Sequence, residues 1–412
     1  MYSEARERYK KWGVDTEAAI NTLLKTPLSI HCWQGDDVRG FEGSLGPDGG
    51  IAVTGNYPGA ARGPRELMAD IEKTLSLVAG RHRLNIHASY AITDGETVER
   101  DKLAPKHFQA WIDFAKKHGL GIDFNPTLFG HPMVKDGLTL SHPDEKIRRF
   151  WIDHCKASRR IAEHIGRELT SPCLCNIWIP DGFKDIPASR IRSRERLKAS
   201  LDEIYDEKLN SEYIIDSVES KVFGIGVEAC TVGSHEFYMN YAAQRGILCL
   251  LDNGHFHPTE QVSDKISSML LFSDRIALHI TRGVRWDSDH VIALDDELIA
   301  MCRELVSCDA LRRAIIGLDF FDGSINRIAA WVIGIRNVQK ALLYALLLPH
   351  KELAAMQDKG EFTKLLAMTE EFKSYPFSIV WEEFCGRGGC AADEAWLDEV
   401  LKYECDVLSK RG

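Results

Sequence analysis

Around Asp252–His290 the chain reads DNGHFHPTE and, farther on, LHITRGVRWDSDH. Four of its 15 histidines (His255, His257, His279 and His290) fall in this short tract, where even spacing would leave about one. Three aspartates, Asp252, Asp287 and Asp289, are interleaved with them. Neutral imidazoles beside ionised carboxylates are what a divalent cation needs, and no thiolate joins the set. Such ligands suit Mn²⁺, Mg²⁺ or Co²⁺ in a catalytic site better than a structural, cysteine-rich zinc.

Ligands act together only if the fold brings them together. Eight short apolar runs punctuate the chain: 29–33, 83–89, 120–126, 173–179, 216–223, 246–254, 275–280 and 314–321. Most are dense in Ile, Leu, Val or Phe rather than alternating, as parallel strands covered on both faces read. Amphipathic helical segments such as RELMADIEKTLSLVAG and PKHFQAWIDFAKKHG separate them. That alternation predicts an α/β fold, a (β/α)₈ TIM barrel over 29–345. An N-terminal helical arm (1–28) precedes it and a C-terminal helical extension (346–412) follows. A doubly wound sheet is the alternative, but GFEGSLGPDGG after the first strand does not match a dinucleotide fingerprint. The same loop, long and glycine-rich, reads as a lid or binding loop.

Catalytic groups in such barrels lie at the C-terminal ends of strands. Glu219 falls in the fifth predicted strand, Asp252 near the end of the sixth, His279 near the end of the seventh and Asp319 near the end of the eighth. His255, Asp287 and Asp289 fall in the loops that follow. A lone barrel-end aspartate usually bonds backbone; convergence of the whole set on one rim is what points to metal. The set is too large for one small cation and suits two. Glu219, Asp252, His279 and Asp319 would make a rigid inner site, and His255, Asp287 and Asp289 a looser outer one. His257 reads as structural, and His290 as a support for Asp289. Lys221 would bind a substrate oxygen or neutralise the carboxylates. His31, Trp33, His87, Asp123, Asn125, Asn176, Trp178 and Asp181 are expected to face the same mouth. Tryptophans beside carboxylates and amides suit a sugar, although packing explains any one of them equally well.

The remaining composition is ordinary for a globular chain of 412 residues: 44% hydrophobic and 27% charged. A net charge of −10 argues against nucleic-acid partners and anionic membranes. The 11 cysteines are scattered through apolar runs, as buried reduced thiols are; Cys385 and Cys390 look like half a metal knuckle with no second half. The charged N-terminus does not read as a signal peptide, and no apolar run is long enough to span a membrane, so a cytoplasmic location is expected.

Long stretches of the chain resemble the L-rhamnose isomerase family: HCWQGDDV, TGNYPG, FWIDHCKASRR, NIWIPDG, VESKVFGIG, GHFHPTEQVSDKIS, RWDSDH and GLDFFDGSINRIAAWVIG. The resemblance implies a barrel with extra helices, a homotetramer, and conversion of L-rhamnose to L-rhamnulose with Mn²⁺, with Mg²⁺, Co²⁺ or Zn²⁺ as alternatives. It implies an outer catalytic metal on His255, Asp287 and Asp289 and an inner one on Glu219, Asp252, His279 and Asp319. The expected reaction is an aldose–ketose isomerisation. Hydrogen moves between C2 and C1 either as a hydride or through an enediol with Glu219 as proton carrier. The catalytic set is then His255, Asp287, Asp289, Lys221 and Glu219, and the sugar meets Trp33, His87, Trp178 and Lys221. A metal-dependent hydrolase and a non-catalytic sugar-binding barrel are the competing classes.

Overall fold

The computed structural model describes residues 1–42, 55–221, 228–284 and 289–411. Eight parallel strands close into a barrel: β1 Leu28–His31, β2 His82–His87, β3 Gly121–Asn125, β4 Cys173–Ile177, β5 Ile214–Glu219, β6 Leu248–Asp252, β7 Ile276–Ile280 and β8 Ala314–Leu318. Each pairs with its successor, and β8 closes on β1 with Ser29 opposite Gly317. A helix follows each strand, from Pro64–Leu75 after β1 to Arg327–Leu346 after β8. This is the TIM barrel expected from the apolar runs. Its strands are buried almost throughout because helices cover their outer faces and side chains fill the interior.

Some of the helices start where a short polar side chain satisfies their free N–H groups. Asp144 accepts from Lys146 N (2.8 Å) ahead of Glu145–Leu169, and Asn326 accepts from Ile328 N and Ala329 N (both 3.0 Å) ahead of Arg327–Leu346. That last helix is buried against the barrel, with Trp331 Nε1 donating to His31 O at 2.9 Å. Among the described residues no single helix is long and apolar enough to cross a membrane. Four further helices, His350–Asp358, Phe362–Phe372, Phe377–Gly388 and Ala395–Asp406, return the chain to its start. There Arg387 pairs with Glu17 (2.7 Å) and Arg411 with Asp70 (2.5 Å).

Two expectations need correction. The fifth strand starts earlier and ends earlier than expected, at Ile214 and Glu219, because Ile214 and Ile215 pair with Cys173 and Leu174 of β4. Val222 and Phe223, placed in that strand from sequence, lie outside the described residues. Asp123 does not face the catalytic mouth. Its carboxylate accepts Ser29 Oγ (2.6 Å), Arg83 Nη2 (2.8 Å) and Leu174 N (3.1 Å), all toward the N-terminal end of the barrel. A guanidinium there provides the counter-charge that a buried carboxylate requires.

Buried histidines make the fold acid-sensitive. His154 accepts Thr127 N (3.0 Å) and donates to Arg100 O (2.9 Å), and burial pushes its pKa down to about 3. Burial likewise takes His82 down to about 4. Above pH 6.5 both are neutral folded or unfolded, and their contribution to stability is complete. Below it the unfolded chain gains protons that the native state refuses. Stability should then fall by about 1.4 kcal/mol per pH unit for each histidine, down to its depressed pKa. Urea midpoints at pH 7 and pH 5 measure this. An unchanged midpoint would mean that the native state accommodates both imidazolium ions.

Candidate metal centre

Four strand ends deliver one side chain each to the C-terminal mouth. Glu219 and Asp252 are the last residues of β5 and β6, His279 is the penultimate residue of β7, and Asp319 directly follows β8. Parallel register brings them level: Asp252 lies opposite His279, and His279 opposite Gly317. One potential ligand atom from each of the four lies within 4.8 Å of the others. His279 Nδ1 is central, 3.4 Å from both Glu219 Oε2 and Asp319 Oδ2 and 3.8 Å from Asp252 Oδ2. Gly317 permits this placement, since a Cβ there would come within 2.8 Å of the His279 ring.

Each of the four is braced from outside the cluster. Asn176 Nδ2 donates to Glu219 Oε2, Gly254 N to Asp252 Oδ1 (2.7 Å), and Trp33 Nε1 to Asp319 Oδ1 (2.9 Å). Asn85 Nδ2 lies 3.3 Å from His279 Nε2, and its own oxygen accepts Asn125 Nδ2 at 2.6 Å. Glu219 Oε1, Asp252 Oδ2 and His279 Nδ1 are buried with no hydrogen bond. Unmade hydrogen bonds on buried polar atoms cost about 1–3 kcal/mol each, more for charged groups. Three such atoms in one cluster fit a divalent cation, which would satisfy them together.

Electrostatics agree with that fit. Burial, reinforced by Asp319 and Glu219, raises Asp252 to about 8 against the pull of His255 and His279. Burial also opposes ionisation of Glu219 and Asp319, yet His279 outweighs it and holds both below their usual range, with His255 helping at Glu219. Burial disfavours the His279 cation as well, but Glu219 and Asp319 pull its pKa well above the ordinary value. The cluster thus carries more negative charge than one imidazolium can balance.

The residues assigned from sequence to an outer site are less gathered. His255 Nδ1 hydrogen-bonds Ser220 O at 2.9 Å and lies 2.9 Å from Glu219 Oε1, with Nε2 3.9 Å from Asp252 Oδ2. Asp289 is buried in a left-handed conformation (φ 40°), and a Cβ at Gly254 would lie 3.2 Å from Asp252 Oδ1 and 3.5 Å from Asp289 Oδ1. Asp287 lies outside the described residues. His257 is exposed and bonds Thr259, while His290 contributes its backbone oxygen to Arg282 N.

One wall of the mouth is aromatic. Ring contacts run from His31 to Trp33 (5.2 Å), Trp33 to His87 (4.9 Å), His87 to Phe129 (5.5 Å) and Phe129 to Trp178 (5.4 Å). Lys221 Nζ lies 4.6 Å from the Trp178 ring centroid, a cation–π contact. Both indoles are therefore packed on protein rather than standing as open stacking faces. Burial lowers the His87 pKa to about 4, so the ring is neutral near pH 7. Asp181 belongs elsewhere, accepting four hydrogen bonds from Thr139 and Ser141. Asn85 and Phe129 went unnoticed in the sequence. Asn85 carried a signal, being in the inward-facing run of β2; Phe129, in a loop, carried none.

Known proteins supply an independent comparison. A family model described as L-rhamnose isomerase (RhaA) matches residues 1–411. L-rhamnose isomerases of Pectobacterium carotovorum, Listeria innocua and Escherichia coli O127:H6 are each 54% identical to the chain. The alignments cover 99%, 100% and 99% of this chain and 97%, 98% and 97% of those relatives. Among solved structures, one described as L-ribulose 3-epimerase matches with a TM-score of 0.50 at 11% identity, covering 77% of this chain and 95% of its own, a likeness of fold alone. Agreement along the full length, on the fold whose mouth holds this cluster, shows that the chain belongs to the L-rhamnose isomerase family.

Proposed function

We propose that the protein interconverts L-rhamnose and L-rhamnulose with the help of divalent cations, Mn²⁺ first among them. The observation that carries this reading is the set of buried, inward-turned ligand atoms on Glu219, Asp252 and His279, in a chain with full-length kinship to aldose–ketose isomerases. Glu219, Asp252, His279 and Asp319 would hold the inner cation, and His255, Asp287 and Asp289 the outer one. Bound there, such cations supply Lewis-acid polarisation of the sugar's carbonyl oxygen.

The chain's own residues have defined tasks. Isomerisation moves one hydrogen from C2 to C1 and one proton from O2 to O1, with no net gain or loss. Lys221, its ammonium over Trp178, would donate to a sugar oxygen. Neutral His87 on the aromatic wall would relay the anomeric hydroxyl proton to the ring oxygen as the sugar ring opens, ending neutral again. Burial of the wall and of the carboxylates keeps bulk water from the reacting carbons. A C2-deuterated substrate in ordinary water separates the two hydrogen routes, because extensive washout of label would exclude direct hydride transfer.

The primary experiment is a ketose assay on EDTA-stripped protein. L-rhamnulose should form from L-rhamnose on adding Mn²⁺ and be absent without it. Absence of metal-dependent ketose would sink the proposal. A homotetramer in the cytoplasm belongs to the same reading. Exposed Leu271, Phe272, Phe362 and Leu366 support self-association, and sedimentation of the purified protein measures it.

A further inference from the structure

The β1–β8 seam is where the barrel closes, and its backbone ladder is short. Register pairs link Leu28 to Ile316 and Ser29 to Gly317, so the ladder ends before Asp319. Past that point side chains take over. His31 Nε2 accepts Phe320 N (3.4 Å), and Gln34 bonds Asp322 in both directions, Nε2 to O (3.0 Å) and N to Oε1 (2.8 Å). Between these two ties, Trp33 Nε1 donates to Asp319 Oδ1 at 2.9 Å. Asp319 is also the most exposed of the four clustered side chains, at 16% against 3% or less for the others. It is the one with least packing to fix its rotamer.

We propose that Trp33 is a positioning residue for the inner cation: its indole N–H holds one oxygen of Asp319 so that the other, Oδ2, faces His279. This assigns Trp33 a task beyond lining the sugar pocket, and it rests on the metal-site reading of the cluster. The indole is itself held in place by a tilted ring contact with His31 and an edge contact with His87. A donor fixed to a ligand's outward oxygen pre-sets the inward one, and losing such a support typically costs about 10- to 100-fold in metal affinity.

The test is Mn²⁺ binding to the stripped full-length protein without sugar, by equilibrium dialysis, in wild type, Glu219→Gln and Trp33→Phe. Glu219→Gln identifies the inner-site binding step as the one it abolishes. Trp33→Phe should weaken that step by about tenfold or more. To guard against a packing defect in Trp33→Phe, benzothienylalanine introduced at position 33 keeps the indole's shape and lacks only the N–H. It should show the same loss. Unchanged Mn²⁺ affinity in that variant, or a raised KM with unchanged affinity, would overturn the proposal and leave Trp33 as pocket wall only. If wild type and Glu219→Gln bind Mn²⁺ alike, the metal-site reading itself fails, and the proposal falls with it.

Discussion

His255→Ala is expected to lower isomerase turnover by about 10³-fold or more at saturating Mn²⁺, while the protein stays folded. His255 is buried at the lip of the inner cluster, 2.9 Å from Glu219 Oε1 and 3.9 Å from Asp252 Oδ2. Its anchoring bond is to a backbone oxygen, Ser220 O, and it supports no strand pairing. Removing the ring therefore takes away a ligand-competent nitrogen without opening the barrel. The measurement is kcat for L-rhamnose beside a thermal melt. A normal rate would remove His255 from the catalytic set. A collapsed melting temperature would make it a structural residue. The inner cluster should respond differently: Asp252→Asn should weaken cation binding itself, visible without any substrate.

The second large effect concerns stability. Arg83→Met should destabilise the fold by about 3–5 kcal/mol. Arg83 donates to Asp123, Ser171 Oγ, Ile122 O and Pro172 O near the N-terminal end of the barrel. Its guanidinium is largely buried and Asp123 is 2% exposed, so the variant leaves a buried carboxylate with no counter-charge. Adding Asp123→Asn to that variant should restore part of the loss, because the uncompensated charge disappears with it. Urea unfolding at pH 7 reads both. A loss below about 1 kcal/mol in the single variant would mean that no uncompensated charge stays buried there. Activity should follow stability here, since the pair lies away from the catalytic mouth.

Asp123 and Asp319 show how far local sequence reaches. Each follows an apolar run, in GIDFN and GLDFF, and each was expected at the mouth. One pairs with Arg83 toward the opposite end of the barrel, and the other joins the cluster that could hold a metal ion. The difference lies in the strand's exact end. Asp123 is inside β3, two residues before its last, whereas Asp319 lies just past β8. Strand boundaries depend on how long the ladder with the neighbours continues, which a single run does not encode. The fifth strand was misplaced for the same reason.

The sequence alone determined the barrel and the ligand-competent residue types that the chain carries. Strand–helix alternation is written in local apolar density, and ligand chemistry is written in residue type. Both survive without knowledge of the rest of the chain. The tertiary structure decided which atom of each clustered side chain turns inward. That choice rests on partners such as Trp33 for Asp319, 286 positions apart, and Asn85 for His279, 194 positions apart. It also decided that the two mouth tryptophans pack on protein. A hydrogen bond or ring contact depends on position to within a fraction of an ångström, and only closure of the barrel fixes positions so distant in sequence to that degree.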